Sequence, residues 1–244
     1  MNCIVWIFGR GASVACNLRW TVPSEWIAYE RPLQVEKIRA AILEEEEMDR
    51  PEVNTEPYRL LLSELSRRTA PGWQHRFFTT NWDYLLQREI LRLGLQVVPP
   101  WLTETHVFHL NGTVENTHVA GLPSLRSPFL LERDRIRERT PSEEFRQALQ
   151  FIVWRKHFIV IGVSFSCPTD QALLAILHAV EGDLPVGGSW WHVVDPSPNT
   201  ALEVCSRIKQ SLPRAAVTLS QKCLKEWLTE GMPALTRRGL LADT

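Results

Sequence analysis

The stretch 76–86, RFFTTNWDYLL, holds the residues of this sequence that are best suited to chemistry. An apolar run ends there in polar side chains, and a segment with helical spacing follows at 84–95. Open α/β sheets keep their ligand sites where a strand ends and a helix begins. We therefore expect Thr80, Asn81 and Asp83 to bind a ligand, with Asp83 also capping the helix. A strand, a plain turn and a helix cap are the alternative interpretation.

A second candidate site follows the predicted strand at 3–8, an apolar run typical of a strand buried on both faces. The residues that come next are Gly9, Gly11, Ala12 and Ser13. The glycines permit a tight turn and close approach of a phosphate to the backbone, and the helix expected from Ala12 would offer N–H groups to an anion. Val14 replaces the third glycine of the dinucleotide fingerprint, so an ordinary strand–helix turn is the alternative.

Polar residues also lie at the ends of three further predicted strands, 107–110, 158–163 and 191–194. These candidate site residues are His109, Asn111, Gly162, Ser164 and Asp195. The side chains of residues two apart on a strand share one face, which puts positions 109 and 111 on the same side. A short strand is also predicted at 95–98.

The order of the elements predicts an α/β fold. Apolar runs of strand length alternate with segments of helical spacing, which indicates a Rossmann-like, mostly parallel sheet with helices on both faces. The segment from about 20 to 75 contains apolar residues at helical spacing and is predicted to be an inserted helical subdomain. We expect one domain over residues 1–244.

Composition narrows the function classes. A net charge of -1 and a pI of about 6.7 argue against a broad nucleic-acid-binding face. Runs of about 18 apolar residues and a signal-peptide pattern are both missing from the sequence, which argues against a membrane span or secretion. The five cysteines form no C-x-x-C pair, so neither a disulfide framework nor a metal site is expected, and the cytoplasm is the expected compartment.

Taken in order, these motifs resemble the sirtuin family. Gly9-x-Gly11-Ala12-Ser13 is similar to the sirtuin nucleotide-binding loop, and TTNWD at 79–83 is similar to the Thr-Gln-Asn-Ile-Asp motif. FHLNGT at 108–113 resembles the His-Gly strand end, and the stretch 161–170 resembles the strand–loop–helix of sirtuin-like domains in bacterial antiphage defence. The resemblance covers about residues 3–200.

Two departures from the sirtuin pattern affect function. The paired cysteines of the zinc ribbon are absent, as in the defence branch and unlike the protein deacylases. The residue before Gly112 is Asn111, where the family has its catalytic histidine, and asparagine takes up no proton near neutral pH. His109, about 6.6 Å back along the strand, is the nearest substitute.

The resemblance implies an NAD hydrolase that cleaves the nicotinamide–ribose bond, without a metal, as an effector of antiphage defence. It implies Asn81 and Asp83 as catalytic residues, and His109 is expected to replace the missing histidine. It also implies NAD binding by Gly9, Gly11, Ala12, Ser13, Thr80, Asn111, Gly162, Ser164 and Asp195. It also implies an activating partner, a separate sensor subunit or a homo-oligomer. A catalytically weak module that binds NAD or ADP-ribose is the second hypothesis, and protein deacylation is the third.

Overall fold

The computed structural model describes residues 2–17, 37, 40, 54–81, 83–96, 107–109, 155–166, 168–181 and 188–242. Its strands are β1 (Asn2–Phe8), β2 (Trp73–Thr79), β3 (Phe108–His109), β4 (His157–Ile161), β5 (Trp190–Val194) and β6 (Ala216–Ser220). These six form one sheet in the order β3-β2-β1-β4-β5-β6, and every pair is parallel. The strand order reverses at β1, whose two neighbours are β2 and β4.

Helices cover both faces of the sheet. They are α1 (Arg10–Ala15), α2 (Glu56–Arg68), α3 (Leu85–Gln96), α4 (Pro168–Glu181), α5 (Pro198–Ser211), α6 (Leu224–Thr229) and α7 (Pro233–Thr236). Alternate residues of β1 enter different cores: Trp6 packs with α2, α3 and α6, whereas Val5 packs with α4 and α5. Burial on both faces explains why β1 is an unbroken apolar run.

The structure confirms the predicted α/β class and the parallel sheet, and it corrects one element. Leu95 and Gln96 belong to the end of α3 and not to a strand, because the amphipathic helix continues through the start of the predicted strand at 95–98. Asp83 lies two residues before the start of α3, and its Oδ1 accepts a hydrogen bond from the first N–H of the helix, that of Leu85 (3.2 Å).

The predicted insertion at 20–75 is described only in part. Its last helix, α2, packs directly in the main core, where Tyr58 meets the ring of Phe8 edge-on at 5.7 Å. Residues 73–75 already belong to β2. Apart from residues 37 and 40, the stretch 18–53 lies outside the described residues.

Arg68 ties the carboxyl-terminal segment to α2. This guanidinium is 5% exposed and donates to the carbonyls of Gly231 (2.6 Å) and Ala242 (3.1 Å) and to Thr236 Oγ1 (2.6 Å). An antiparallel bridge between Thr69 and Leu241 adds to this contact. A buried charge needs such partners, and here all three lie in the segment 231–242, which follows α6.

His75 is a buried neutral histidine under the same face. Its Nδ1 accepts a hydrogen bond from the Trp6 indole (2.9 Å), and its Nε2 lies 2.9 Å from Thr69 Oγ1. Since the indole can only donate, Nδ1 carries no proton and the remaining proton is on Nε2. Burial lowers the pKa of His75 to about 3, and burial together with Arg237 lowers the pKa of His192 to about 4.

These histidines make stability depend on pH. An unfolded histidine titrates near pH ~6.5, so between pH ~6.5 and ~4 the unfolded chain binds protons that the folded chain does not. The contribution of these histidines to the free energy of unfolding is therefore complete above pH ~6.5. It falls on acidification, by up to about 1.4 kcal/mol per pH unit for each histidine. Urea unfolding between pH 4.5 and 7.5 measures this slope. His75→Asn keeps an acceptor for Trp6 and should flatten the slope; equal slopes in both proteins would contradict the assignment.

Candidate functional site

The candidate site lies at the carboxyl edge of the sheet. Because all described strands are parallel, the residues that follow β1, β2, β3, β4 and β5 meet along one edge. The loops after β1 and β4 flank the point where the strand order reverses, which is where open α/β sheets hold ligands. Most of the residues singled out in the sequence lie along this edge.

Ser13, Asn81 and Asp83 form a buried hydrogen-bonded chain at its centre. Ser13 Oγ donates to Asp83 Oδ2 (2.6 Å) and accepts from Asn81 Nδ2 (2.6 Å), and Asn81 Nδ2 also donates to the Gly9 carbonyl (2.9 Å). The three residues are 2%, 8% and 5% exposed, respectively. The loop after β1 and the turn after β2 are thus joined by side chains whose directions are fixed.

Asp83 is a buried carboxyl group. Burial raises its pKa above the ordinary value, while the Ser13 hydroxyl and the Leu85 N–H oppose that rise by donating to it. Its negative form is therefore stabilised by only a few fixed donors. A positive charge that developed beside it would interact strongly, since little water is present to screen the two charges.

The turn that carries Asn81 is built on the carbonyl of Phe8. This oxygen accepts the Thr80 N–H (2.8 Å) and the Thr79 hydroxyl (3.1 Å), and Thr79 Oγ1 in turn accepts the Asn81 N–H (3.0 Å). The two threonines therefore fix how the chain leaves β2. Thr80, a predicted ligand residue, is half-buried and contributes to this turn.

Gly9, Gly11 and Gly162 bring two loops into backbone contact. The Gly9 N–H donates to the Ile161 carbonyl (2.9 Å), and the Gly11 N–H donates to the Gly162 carbonyl (3.1 Å). A Cβ on Gly9 would lie 2.4 Å from the Gly162 oxygen, and one on Gly11 would lie 2.8 Å from the Gly162 Cα. Glycine is required at these positions because the two loops touch.

This contact gives the glycines a role that the sequence analysis missed. The N–H groups of Gly9 and Gly11, like that of Ala12, donate to protein carbonyls, and α1 has only six residues. That Gly9, Gly11, Ala12 and Ser13 hold a pyrophosphate stays a prediction. The sequence does show a glycine, Gly162, at the end of another predicted strand. The residues around it, however, do not indicate that it contacts Gly9.

The loop after β4 has two residues in the left-handed conformation, Gly162 (φ 63) and Phe165 (φ 50). For a residue other than glycine this conformation costs roughly 1–2 kcal/mol. Phe165 is fully buried, whereas Ser164 is exposed. Asp195, at the end of β5, is half-buried and accepts the Ser197 N–H (2.9 Å). Ser164 and Asp195 are thus placed on the side of β1 opposite Asn81.

His109 ends β3, and its Cα pairs with Thr79 in the parallel register. The strand is anchored by Gln87 of α3, which accepts the Val107 N–H (2.5 Å). The backbone of His109 therefore lies next to the strand that carries Asn81. The side chain of His109, as well as Trp82 and Asn111, lies outside what the structure describes.

Tyr58 and Cys16 are two further buried groups near the hydrogen-bonded chain of Ser13, Asn81 and Asp83, and the sequence analysis did not identify them. Burial raises the pKa of Tyr58, with Cys16 and Asp83 adding to the effect. Burial, Asp83 and Glu89 together raise the pKa of the Cys16 thiol. Both groups therefore stay neutral at physiological pH. They come from α2 and from the end of α1, and only the tertiary fold brings them to Asp83.

Within the parts of the chain that the structure describes, no group of three or more histidine, cysteine, aspartate or glutamate side chains could hold a metal ion. Among the described helices, none is long and apolar enough to cross a membrane.

Comparison with known proteins gives one family and one fold. A family model described as a SIR2-like domain matches residues 75–211, more than half of the chain. The fold is similar to a solved structure of Sir2Tm bound to a propionylated peptide, with a TM-score of 0.50 and 15% sequence identity; the match covers 97% of this chain and 93% of that one. No curated protein sequence matches.

The contact between the two loops can be tested with a pair of glycine substitutions. Gly162 and Gly239 have nearly the same φ, 63 and 66, but a Cβ on Gly162 would lie 2.6 Å from the Gly11 Cα, whereas nothing lies within 4 Å of one on Gly239. Gly239→Ala should cost about 1 kcal/mol from the left-handed conformation alone. Gly162→Ala should cost about 1–3 kcal/mol more, from overpacking. Urea unfolding measures both, and equal losses would contradict the contact.

Proposed function

The chain belongs to the SIR2-like domain family, and from this premise we propose that it binds NAD and hydrolyses it to nicotinamide and ADP-ribose. The observation that carries the proposal is the buried chain of Ser13, Asn81 and Asp83 at the carboxyl edge of the sheet. It offers a fixed carboxylate and a fixed amide at the place where such sheets bind nucleotides.

These two groups suit cleavage of the nicotinamide–ribose bond. The leaving group is a cationic pyridinium, so it departs as neutral nicotinamide and little acid catalysis is needed. The ribose passes through an oxocarbenium-like transition state, as in glycoside hydrolysis. A buried carboxylate stabilises that positive charge, and an oriented amide holds a ribose hydroxyl or the attacking water.

We assign the individual roles from this chemistry. Asp83 faces the nicotinamide end, and Asn81 orients the ribose or the water. The loop 9–13 and Thr80 contact the pyrophosphate and its neighbouring ribose, while Gly162, Ser164 and Asp195 contact the adenosine half. His109 is the proposed base in place of the family histidine, and Asn111 binds ligand without taking up a proton.

The proposed cellular role is depletion of NAD in the cytoplasm as an antiphage effector. Such an activity has to be restrained until infection, and we propose that a partner protein, a separate sensor chain or assembly of several copies releases it. The support for this role is the resemblance of the stretch 161–170 to defence-associated domains, together with the absence of paired cysteines from the sequence.

Loss of Asn81 should abolish most of the activity. Asn81→Ala is expected to reduce nicotinamide release from NAD about 100-fold, because it removes a preorganised polar group from the reacting centre. Asn2→Ala is the matched control, since Asn2 is exposed at the opposite end of β1 and should leave the rate unchanged. Chromatography of nicotinamide, with protein that has been incubated with its partner, measures both.

Two further variants test the base. His109→Ala should reduce the rate, and Asn111→His should raise it, because it returns a proton acceptor to the family position.

Equal nicotinamide release by wild type and Asn81→Ala, or no release by wild type incubated with its partner, would contradict the proposed hydrolase.

The pH dependence of the rate should report Asp83. The ionised carboxylate is the active form, and burial raises its pKa, so kcat/KM should fall on acidification with a midpoint above the ordinary aspartate value of about 3.9. In the His109→Ala background, which removes the proposed base and its own acid limb, Asp83→Asn should abolish the remaining acid limb and lower the rate throughout. An unchanged acid limb in the variant would remove Asp83 from the mechanism.

A binding module without turnover is the second candidate function, and Asn111 is the residue that favours it. Calorimetry separates the two: the module binds NAD or ADP-ribose tightly and releases no nicotinamide. An acetyl-lysine peptide assay tests deacylation, for which we expect no product.

A further inference from the structure

We infer that Arg207 of α5 is a positioning residue for the ligand loop 162–166, holding it in the one conformation that presents two serine hydroxyls at the carboxyl edge. This inference rests on the proposed function, because the ligand that the loop would meet is NAD. Arg207 lies far from this loop in sequence, and none of the motifs singled out above includes it.

The loop alternates between core and surface. Val163 and Phe165 are buried in the core under α4 and α5, with 3% and 0% exposure, whereas Ser164 and Ser166 are exposed. The two hydroxyl oxygens lie 2.6 Å apart, and the Ser166 N–H points to Ser164 Oγ (3.3 Å). The loop thus presents a pair of hydroxyls as one unit, a group that can both donate to and accept from a sugar or a phosphate.

This conformation is under strain and needs support. Phe165 has a positive φ, which a residue with a Cβ avoids, and its ring is fixed in the core edge-on to Trp191 at 6.4 Å. The side chain is therefore an anchor, while the backbone on either side of it would relax if its partners were removed.

The backbone carbonyls supply the partners. Arg207 Nη1 donates to the Ser164 carbonyl (2.8 Å), and Gln171 Nε2 donates to the Ser166 carbonyl (3.3 Å). Glu203, one turn before Arg207 on α5, accepts from Nη2 and fixes the guanidinium. Both carbonyls are thus held by side chains of the flanking helices, α5 and α4.

The direction of the 164–165 peptide has a consequence for an anionic ligand. In a trans peptide the C=O and N–H point in opposite directions, so a Ser164 carbonyl directed to Arg207 turns the Phe165 N–H away from α5. Without Arg207, relief of the strained φ favours rotation of this peptide. That rotation would change the directions of the Ser164 carbonyl and the Phe165 N–H and disturb the serine pair beside them, and it would weaken binding of a ligand that meets the loop in its present conformation.

Calorimetry with ADP-ribose tests the inference without relying on turnover. Arg207→Gln should weaken ADP-ribose binding about 10-fold, the usual effect of losing a charge-assisted hydrogen bond, and Arg207→Lys should recover part of it. Arg67→Gln is the matched control, because Arg67 also pairs with a glutamate on a helix, Glu64, but its hydrogen bonds among the described residues are to that glutamate and not to the site loops. In turnover, the KM of NAD should rise with little change in kcat.

Glu203→Ala separates positioning from simple charge attraction. Removing a negative charge near an anionic ligand would tighten binding if attraction alone mattered, whereas loss of the group that fixes Arg207 should weaken it, about threefold. Wild-type affinity in both Arg207→Gln and Glu203→Ala overturns the inference while the proposed function stands. If wild type binds neither NAD nor ADP-ribose, the proposed function fails and the inference fails with it.

Discussion

The candidate site depends on the two hydrogen bonds of the buried Ser13 hydroxyl. This hydroxyl joins the amide of Asn81 to the carboxyl group of Asp83, and all three side chains lie at the end of a sheet whose central strands, β1 and β4, are buried on both faces. Polar groups in such surroundings are stable only when each has a partner, and leaving one without a partner costs roughly 1–3 kcal/mol. The same requirement that keeps the core intact therefore fixes the directions of the groups assigned to chemistry.

A second constraint acts between the two halves of the sheet. Gly9 and Gly11 on one side and Gly162 on the other make backbone contact, and Gly162 also donates its N–H to the Val194 carbonyl (3.2 Å). The loop after β1, the loop after β4 and the last residue of β5 are thus connected through Gly162. Gly162 belongs to the serine loop and touches the loop that carries Ser13, so a change at Gly162 is expected to affect both proposed ends of the NAD site.

Most of the sheet can be predicted from the sequence because parallel strands buried on both faces consist of unbroken apolar runs, as in 3–8 and 191–194. The sequence also places Asn81, Asp83 and Gly9 at one edge, because all three follow predicted strands of a mostly parallel sheet. The predicted strand at 95–98 failed at Leu95 because a short apolar run does not separate a strand from the last turn of a helix.

Other features of the site could not be predicted from local patterns. The contacts of Arg207 with Ser164 and of Arg68 with Ala242 join residues that are distant in the chain. The partner of a single arginine is set by how helices pack on the sheet, and helical spacing gives no information about it. The glycine contact is of the same kind: each glycine is visible in the sequence, but the close approach that requires it is a property of the fold.

Hydrogen–deuterium exchange with and without NAD tests the location of the site most directly. If NAD lies along the carboxyl edge, exchange should slow in peptides that cover the loop after β1, the turn after β2 and the loop 162–166, while the opposite ends of β1 and β2 stay unchanged. Slowing confined to other regions, such as the groove between α2 and α6 beside Leu60 and Leu228, or no change at any NAD concentration, would contradict this account.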